Sequence, residues 1–182
     1  MKKVCVLLIS VLLAVSSAFS SDVEGTRSVV VYFSATGNTE KVADLIAEET
    51  GSDIFRIVPE TEYTAEDLDY RNNSCRANRE MNDETARPAI KTDLSAVEGY
   101  DIIYLGHPIW WGRAPRIIQT FLEGYDLSKA VVYTFCTSGS SGIERSIREL
   151  RSLYPDVNIV SGIRLPGASR KDVREWLEGL EE

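Results

Sequence analysis

The run Val29-Val30-Val31-Tyr32-Phe33 stops at Ser34-Ala35-Thr36-Gly37-Asn38-Thr39. Glu40 to Ala47 then follows with Val42, Leu45 and Ile46 on one helical face. A buried strand, a loop of small hydroxyl residues around one glycine, and a helix start in immediate succession leave few folds open. A strand followed directly by a helix is the opening of a parallel crossover unit. The first backbone N–H groups of such a helix have no partner within it, and its dipole favours an anion there. Ser34, Thr36, Asn38 and Thr39 add side-chain donors. The loop has no lysine, so neutral groups are expected to hold the anion. The Gly-Lys-Ser/Thr ending of a nucleotide-hydrolysing P-loop is missing, as is the Gly-x-Gly-x-x-Gly of a dinucleotide site. By itself the loop is equally an ordinary turn with Thr36 or Asn38 as helix cap.

The alternation continues along the chain. Strand patterns fall at 28–34, 53–58, 101–106, 130–136 and 158–162. Helical patterns fall at 38–50, 115–122, 143–153 and 170–180, the first stopped by Gly51. Trp176 shares a face with Val173, Leu177 and Leu180, which predicts a core position. Five strands separated by helices predict an α/β three-layer sandwich around a parallel sheet with right-handed crossovers. Ligands of such sheets bind beyond the C-terminal strand ends, which singles out loops 34–39, 107–114 and 137–142. Residues 60–90 are polar and too long for a simple connection. Within them, 64–68 reads as a capped helix start and 76–81 as a second helical piece. The segment is expected to be a helical connection with surface loop, covering one sheet face.

Residues 1–20 differ from the rest. Lys2 and Lys3, the apolar run Val4 to Val15, and Ala18-Phe19-Ser20 form the pattern of a secretory signal peptide. The run is short for a membrane span, which takes roughly 20 apolar residues. An uncleaved anchor is the other reading of it. Cys5 lies too early for a lipoprotein cysteine. No twin-arginine pair is present, so export is expected in the unfolded state, with any cofactor acquired outside. The organisation expected is a signal at 1–20, a polar lead-in at 21–27, and one domain over 28–182. The protein would then be periplasmic or extracellular, or cytoplasmic if residues 1–20 are not a signal. Loss of two lysines and no acid would lower the formal net charge from -8 to -10. This acidity argues against nucleic-acid binding, which draws on clustered Lys and Arg. Cys75 and Cys136 would remain, read as separate thiols rather than a disulfide, since Cys136 ends a buried strand.

The second loop, His107-Pro108-Ile109-Trp110-Trp111-Gly112-Arg113-Ala114-Pro115-Arg116, places two adjacent tryptophans between Pro and Gly. Adjacent side chains on an extended segment point oppositely. One ring facing inward and the other covering a planar ligand is the arrangement expected. The third loop, Thr137-Ser138-Gly139-Ser140-Ser141-Gly142, is made of small residues that let a ligand approach the backbone. His107, the one histidine, reads as a solvated loop residue, or as a group near the ligand that titrates around neutral pH.

Ser34-Ala35-Thr36-Gly37-Asn38-Thr39 resembles the phosphate loop of flavodoxins. Pro108 to Arg116, with Phe135-Cys136-Thr137-Ser138-Gly139 and Ala86-Arg87-Pro88-Ala89-Ile90, resembles a flavodoxin-like family with a Pro-Ile-Trp-Trp-Gly loop. The likeness runs from about Ser28 to Leu180. It implies a flavodoxin-like sandwich with strand order 2-1-3-4-5 and a non-covalently bound FMN. Ser34, Ala35, Thr36, Gly37, Asn38 and Thr39 would hold the phosphate. Pro108, Ile109, Trp110, Trp111 and Gly112, with Thr137, Ser138, Gly139 and Gly142, would enclose the ring, Trp110 or Trp111 stacking on it. Relatives often carry an aromatic residue at the position of His107. Flavodoxins surround their flavin with acids, whereas Arg113, Arg116 and Arg145 lie on or beside these loops and would raise its potential, or be solvated.

The function expected is electron transfer through FMN between redox partner proteins, with no catalytic side chain and no metal. One alternative is an FMN-dependent NAD(P)H:quinone-type reductase that uses 60–90 as part of its pocket. Another is a non-redox binding module of the same fold. A receiver domain does not fit, because no Asp ends the third strand. A low-molecular-weight phosphatase does not fit, because the phosphate loop has no Cys.

Overall fold

Side chains along the first strand alternate between two cores and build the sheet from both faces. In the computed structural model, which describes residues 25–167 and 169–180, β1 is Ser28–Tyr32. Val29 and Val31 enter one core, Val30 and Tyr32 the other. The elements that follow are α1 (Asn38–Thr50), β2 (Asp53–Arg56), α2 (Arg76–Asn82), a 3-10 turn (Ser95–Gly99), β3 (Ile102–Pro108), α3 (Arg116–Gly124), β4 (Val131–Thr137), α4 (Glu144–Leu153), β5 (Asn158–Arg164) and α5 (Arg170–Glu178). Every neighbouring pair is parallel, and the order is β2-β1-β3-β4-β5, the order the resemblance implied. The signal reading of residues 1–20 lies outside the described residues.

The sheet is covered on both sides. Ile117, Ile118 and Phe121 of α3 and Ile147 and Leu150 of α4 close one core over Val31, Ile103 and Leu105. Val42 and Ile46 of α1, with Val173 and Trp176 of α5, close the other over Val30 and Tyr104. Trp176 sits edge-on to Tyr104 with ring centroids 5.9 Å apart, as its helical spacing predicts. Each such side chain contributes roughly 1.5–3 kcal/mol on burial, enough to fix the strand faces. The winding reverses between β1 and β3, whose C-terminal ends carry the first two candidate loops.

Several boundaries differ from the sequence pattern. β1 and β2 end two residues early, while β3 and β5 each run two residues further. β3 lengthens because His107 and Pro108 continue in register with Cys136 and Thr137. Thr64 and Asp67 form the reciprocal capping bonds (3.1 and 3.2 Å), but residues 65–68 are turns, not a helix. A cap alone does not offset helix nucleation where no buried face follows. Arg27, placed in the polar lead-in, belongs to the domain: its N–H donates to Asp101 at 2.8 Å and its guanidinium lies over the Tyr100 ring. Cys75 and Cys136 are buried free thiols. Burial pushes the Cys136 thiol up to about 12.

Candidate functional site

Gly37, with φ of 79°, is the N-cap of α1, and no side chain caps the helix. This corrects the expectation for Thr36 or Asn38. Asn38 is already helical, and its amide donates to Thr36 Oγ1 at 3.2 Å rather than to the backbone. The left-handed turn suits glycine, and the uncapped first turn leaves its N–H groups available to a ligand. Ser34 is 3% exposed, yet its Oγ has no hydrogen-bond partner. A buried hydroxyl left unpaired costs about 1–3 kcal/mol. Thr39 Oγ1 meets Thr137 Oγ1 at 2.8 Å and fastens this loop to the end of β4. Arg56, at the end of β2, reaches across so that Nη2 donates to the Ser34 carbonyl at 3.4 Å. Tyr32 donates to Glu40 at 3.1 Å. Burial, then the charge of Glu40, pushes its phenol up to about 12.

The second loop folds back on itself. Trp110 and Arg113 exchange backbone bonds of 2.9 and 3.0 Å, and the two residues between them, Trp111 and Gly112, have φ of 49° and 78°. Two successive positive φ values mark a type I′ turn, which favours Asn-Gly. A tryptophan in the left-handed region costs roughly 1–2 kcal/mol. Trp110 turns inward, with its ring edge-on to Tyr63 at 5.2 Å and to Phe33 at 5.8 Å. Trp111 remains 42% exposed. The two rings thus divide between anchoring and presentation, as expected, but the tight turn rather than alternation along an extended segment separates them.

A cleft of about 400 Å³ lies between these loops. Ala35, Thr36 and Thr39 form one wall, and Pro108, Ile109, Trp110 and Trp111 another. Leu68, Tyr70 and Ala77 close a third side. Sequence reasoning did not single out these three; the excess length of 60–90 pointed to the segment but not to the residues. Ser34, Gly37, Asn38 and Gly112 belong to the loops that frame the cleft without lining it. The third loop stands at the end of β4. Thr137 bonds the first loop through Thr39, and its carbonyl accepts from Ile109 N–H at 3.1 Å. Ser138 donates to the Ser141 carbonyl and its own carbonyl accepts from Arg164 at 3.1 Å. Gly139 is open, whereas a Cβ at Gly142 would collide with the Glu144 carboxylate. Ser138, Gly139 and Gly142 do not line the cleft.

The arginines are placed otherwise than expected. Arg113 and Arg116 both donate to the Met81 carbonyl, at 2.9 and 3.2 Å, and both approach Glu149, at 3.3 and 3.6 Å. Arg116 is only 2% exposed. They clamp α2, and with it the third wall, instead of facing a ligand. Arg145 lies beside Gly112, its guanidinium 3.4 Å from where a Cβ there would stand. His107 is fully buried in β3, with Nδ1 3.0 Å from the Pro108 carbonyl and Nε2 3.3 Å from Ser146 Oγ. Burial lowers its pKa to about 4. It is neither solvated nor titrating near neutral pH, because the lengthened β3 carries it inside.

Among the described residues no cluster of His, Cys, Asp or Glu could hold a metal ion, and no helix is long and apolar enough to cross a membrane. The cleft offers the hydroxyls of Thr36 and Thr39 on one wall, beside the uncapped start of α1, and the rings of Trp110, Trp111 and Tyr70 on the others. That combination fits a planar ring carrying an anionic tail.

The flavodoxin family model matches residues 27–180. Among solved structures, a candidate flavoprotein from Bacteroides eggerthii DSM 20697 is 41% identical, covers 86% of this chain and 99% of that one, and superposes with a TM-score of 0.82. Another, from Bacteroides uniformis ATCC 8492, is 44% identical over 85% of this chain and 99% of that one, also with a TM-score of 0.82. A flavoprotein from Lactobacillus acidophilus NCFM, solved in complex with FMN, is 23% identical over 84% of this chain and 99% of that one, with a TM-score of 0.65. The likeness to this last structure is one of fold. None of the curated proteins matches the chain.

Proposed function

The chain belongs to the flavodoxin family, and on that premise we propose that it holds FMN non-covalently and passes electrons through it between partner proteins. The observation that carries the reading is the pairing of two features in one concave site. Ala35, Thr36 and Thr39, from the loop that holds the unpartnered Ser34 hydroxyl and the uncapped start of α1, form one wall, and the exposed Trp111 ring belongs to another. Ser34, Thr36, Thr39 and the N–H groups of the first turn of α1 would hold the phosphate. Trp111 and Tyr70 offer aromatic faces to the ring, and backbone groups of Ile109 to Gly112 offer it polar contacts. Bound FMN supplies a centre that accepts and releases one or two electrons.

The residues lining the cleft include no carboxylate, histidine or cysteine, which supports a carrier over a site with its own acid or base. The leader-like pattern of residues 1–20 supports work outside the cytosol. A carrier, once loaded with FMN and chemically reduced, gives its electrons to an oxidised acceptor protein such as a cytochrome c. It shows no steady-state turnover with NADH or NADPH and a quinone. Direct turnover with either nicotinamide would replace the carrier reading with that of a reductase, for which Leu68 and Tyr70 would form the second substrate's wall.

A further inference from the structure

Most arginines of this chain have clear partners, and Arg56 does not. Arg76, Arg87, Arg113, Arg116, Arg170 and Arg174 all pair with carboxylates. Arg56 is half-buried at the end of β2, beside Tyr32 of β1. It has no ion pair among the described residues. Its one hydrogen bond is the long contact to the Ser34 carbonyl at 3.4 Å, and its buried Nε has no partner at all. Desolvating part of a guanidinium without an ion-pair partner carries a cost that one long hydrogen bond offsets only in part.

The loop it backs has a charge problem of its own. Glu40 lies in the first turn of α1, with a carboxylate oxygen 3.9 Å from where a side chain at Gly37 would begin. That carboxylate opposes an anion at the same helix start. The second unsatisfied group, the buried Ser34 hydroxyl, belongs to the very residue whose carbonyl Arg56 touches. Two buried polar groups without partners therefore meet at one loop.

We infer that Arg56 is a positioning residue for the phosphate end of the cofactor. From behind Ser34 its charge offsets Glu40, steadies the loop in its anion-holding form, and sets the preference for FMN over riboflavin. This rests on the FMN reading above. It also revises the expectation that neutral groups alone hold the anion: the donors in contact are neutral, and the cation comes from the neighbouring strand.

The test is the affinity of the apoprotein for FMN and for riboflavin, across ionic strength, in wild type, Arg56→Gln and Arg56→Lys. Arg56→Gln is expected to weaken FMN about tenfold, the scale of one charge-assisted contact, and to leave riboflavin within about twofold. The salt dependence of FMN binding should flatten in Arg56→Gln and persist in Arg56→Lys, because charge is retained there. Equal losses for FMN and riboflavin would show a merely structural role and overturn the inference. So would an Arg56→Gln protein that binds FMN as tightly as wild type. A wild type that binds neither flavin overturns the FMN reading itself, a different result from either of these.

Discussion

Ser34 is a buried hydroxyl with nothing to bond, and a protein keeps such a group at a cost. Its replacement separates folding from binding. Ser34→Ala removes the unsatisfied oxygen, so the apoprotein should unfold at the same temperature as wild type or higher. FMN affinity should fall by roughly 1 kcal/mol, about fivefold. Calorimetric melting of the apoprotein beside a flavin titration checks both halves. A destabilised apoprotein would mean the hydroxyl is engaged. His107 shows a second residue-scale effect. Its folded pKa of about 4 lies below the ordinary value of 6.5. The unfolded chain therefore binds a proton that the folded chain refuses, and stability rises with pH across this window. His107 contributes its full share above about pH 6.5. Roughly 3 kcal/mol is lost as pH falls towards 4, with no further loss below. Urea unfolding of wild type and His107→Gln between pH 8 and 4 should give curves that diverge in this window. Parallel curves would show that His107 does not carry the effect.

At the scale of elements, the turn holding Trp111 and Gly112 and the clamp on α2 decide the shape of the cleft. Trp111 occupies a left-handed position that Asn or Gly would take at less cost. Trp111→Asn is expected to stabilise the apoprotein by about 1 kcal/mol while weakening FMN, measured by the shift in urea midpoint and by titration. Lower stability would show that the ring packs more than it strains. The third wall hangs on the carbonyls of Glu80 and Met81, held by Arg116 and Arg113. Arg116→Ala removes the donor to the Glu80 carbonyl and leaves the Met81 carbonyl and Glu149 to Arg113 alone. Limited proteolysis of that variant should cut within residues 60–90 first, leaving the sheet domain intact for longer. Cleavage spread evenly over the chain would mean global unfolding instead.

At the scale of the whole molecule, the fold was legible because its signals repeat. Val29 to Tyr32 alternates between two cores, and α1 carries one apolar stripe and ends at a left-handed glycine. Such local patterns agree with the global topology and so survive folding. The places of the first two candidate loops were legible for a related reason: they leave the C-terminal strand ends, where the cleft opens, while the third lies outside its lining. What sequence did not disclose depends on contacts between distant segments. Leu68 and Tyr70 stand beside an α2 that Arg113 and Arg116, more than thirty residues beyond Met81, hold in place. His107 is buried only because β3 pairs two residues further with β4. Arg56 meets Ser34 because β2 lies beside β1. No periodicity encodes these meetings.

On the FMN reading, the cleft is a flavin site framed by the loop at 34–39 and the tryptophan turn. Adding apoprotein to FMN and following flavin fluorescence tests it most directly, with Trp111→Ala as the paired variant. Quenching should saturate at one FMN per chain in wild type, with weaker binding in the variant. Flavin fluorescence unchanged at a large excess of wild-type protein would contradict it.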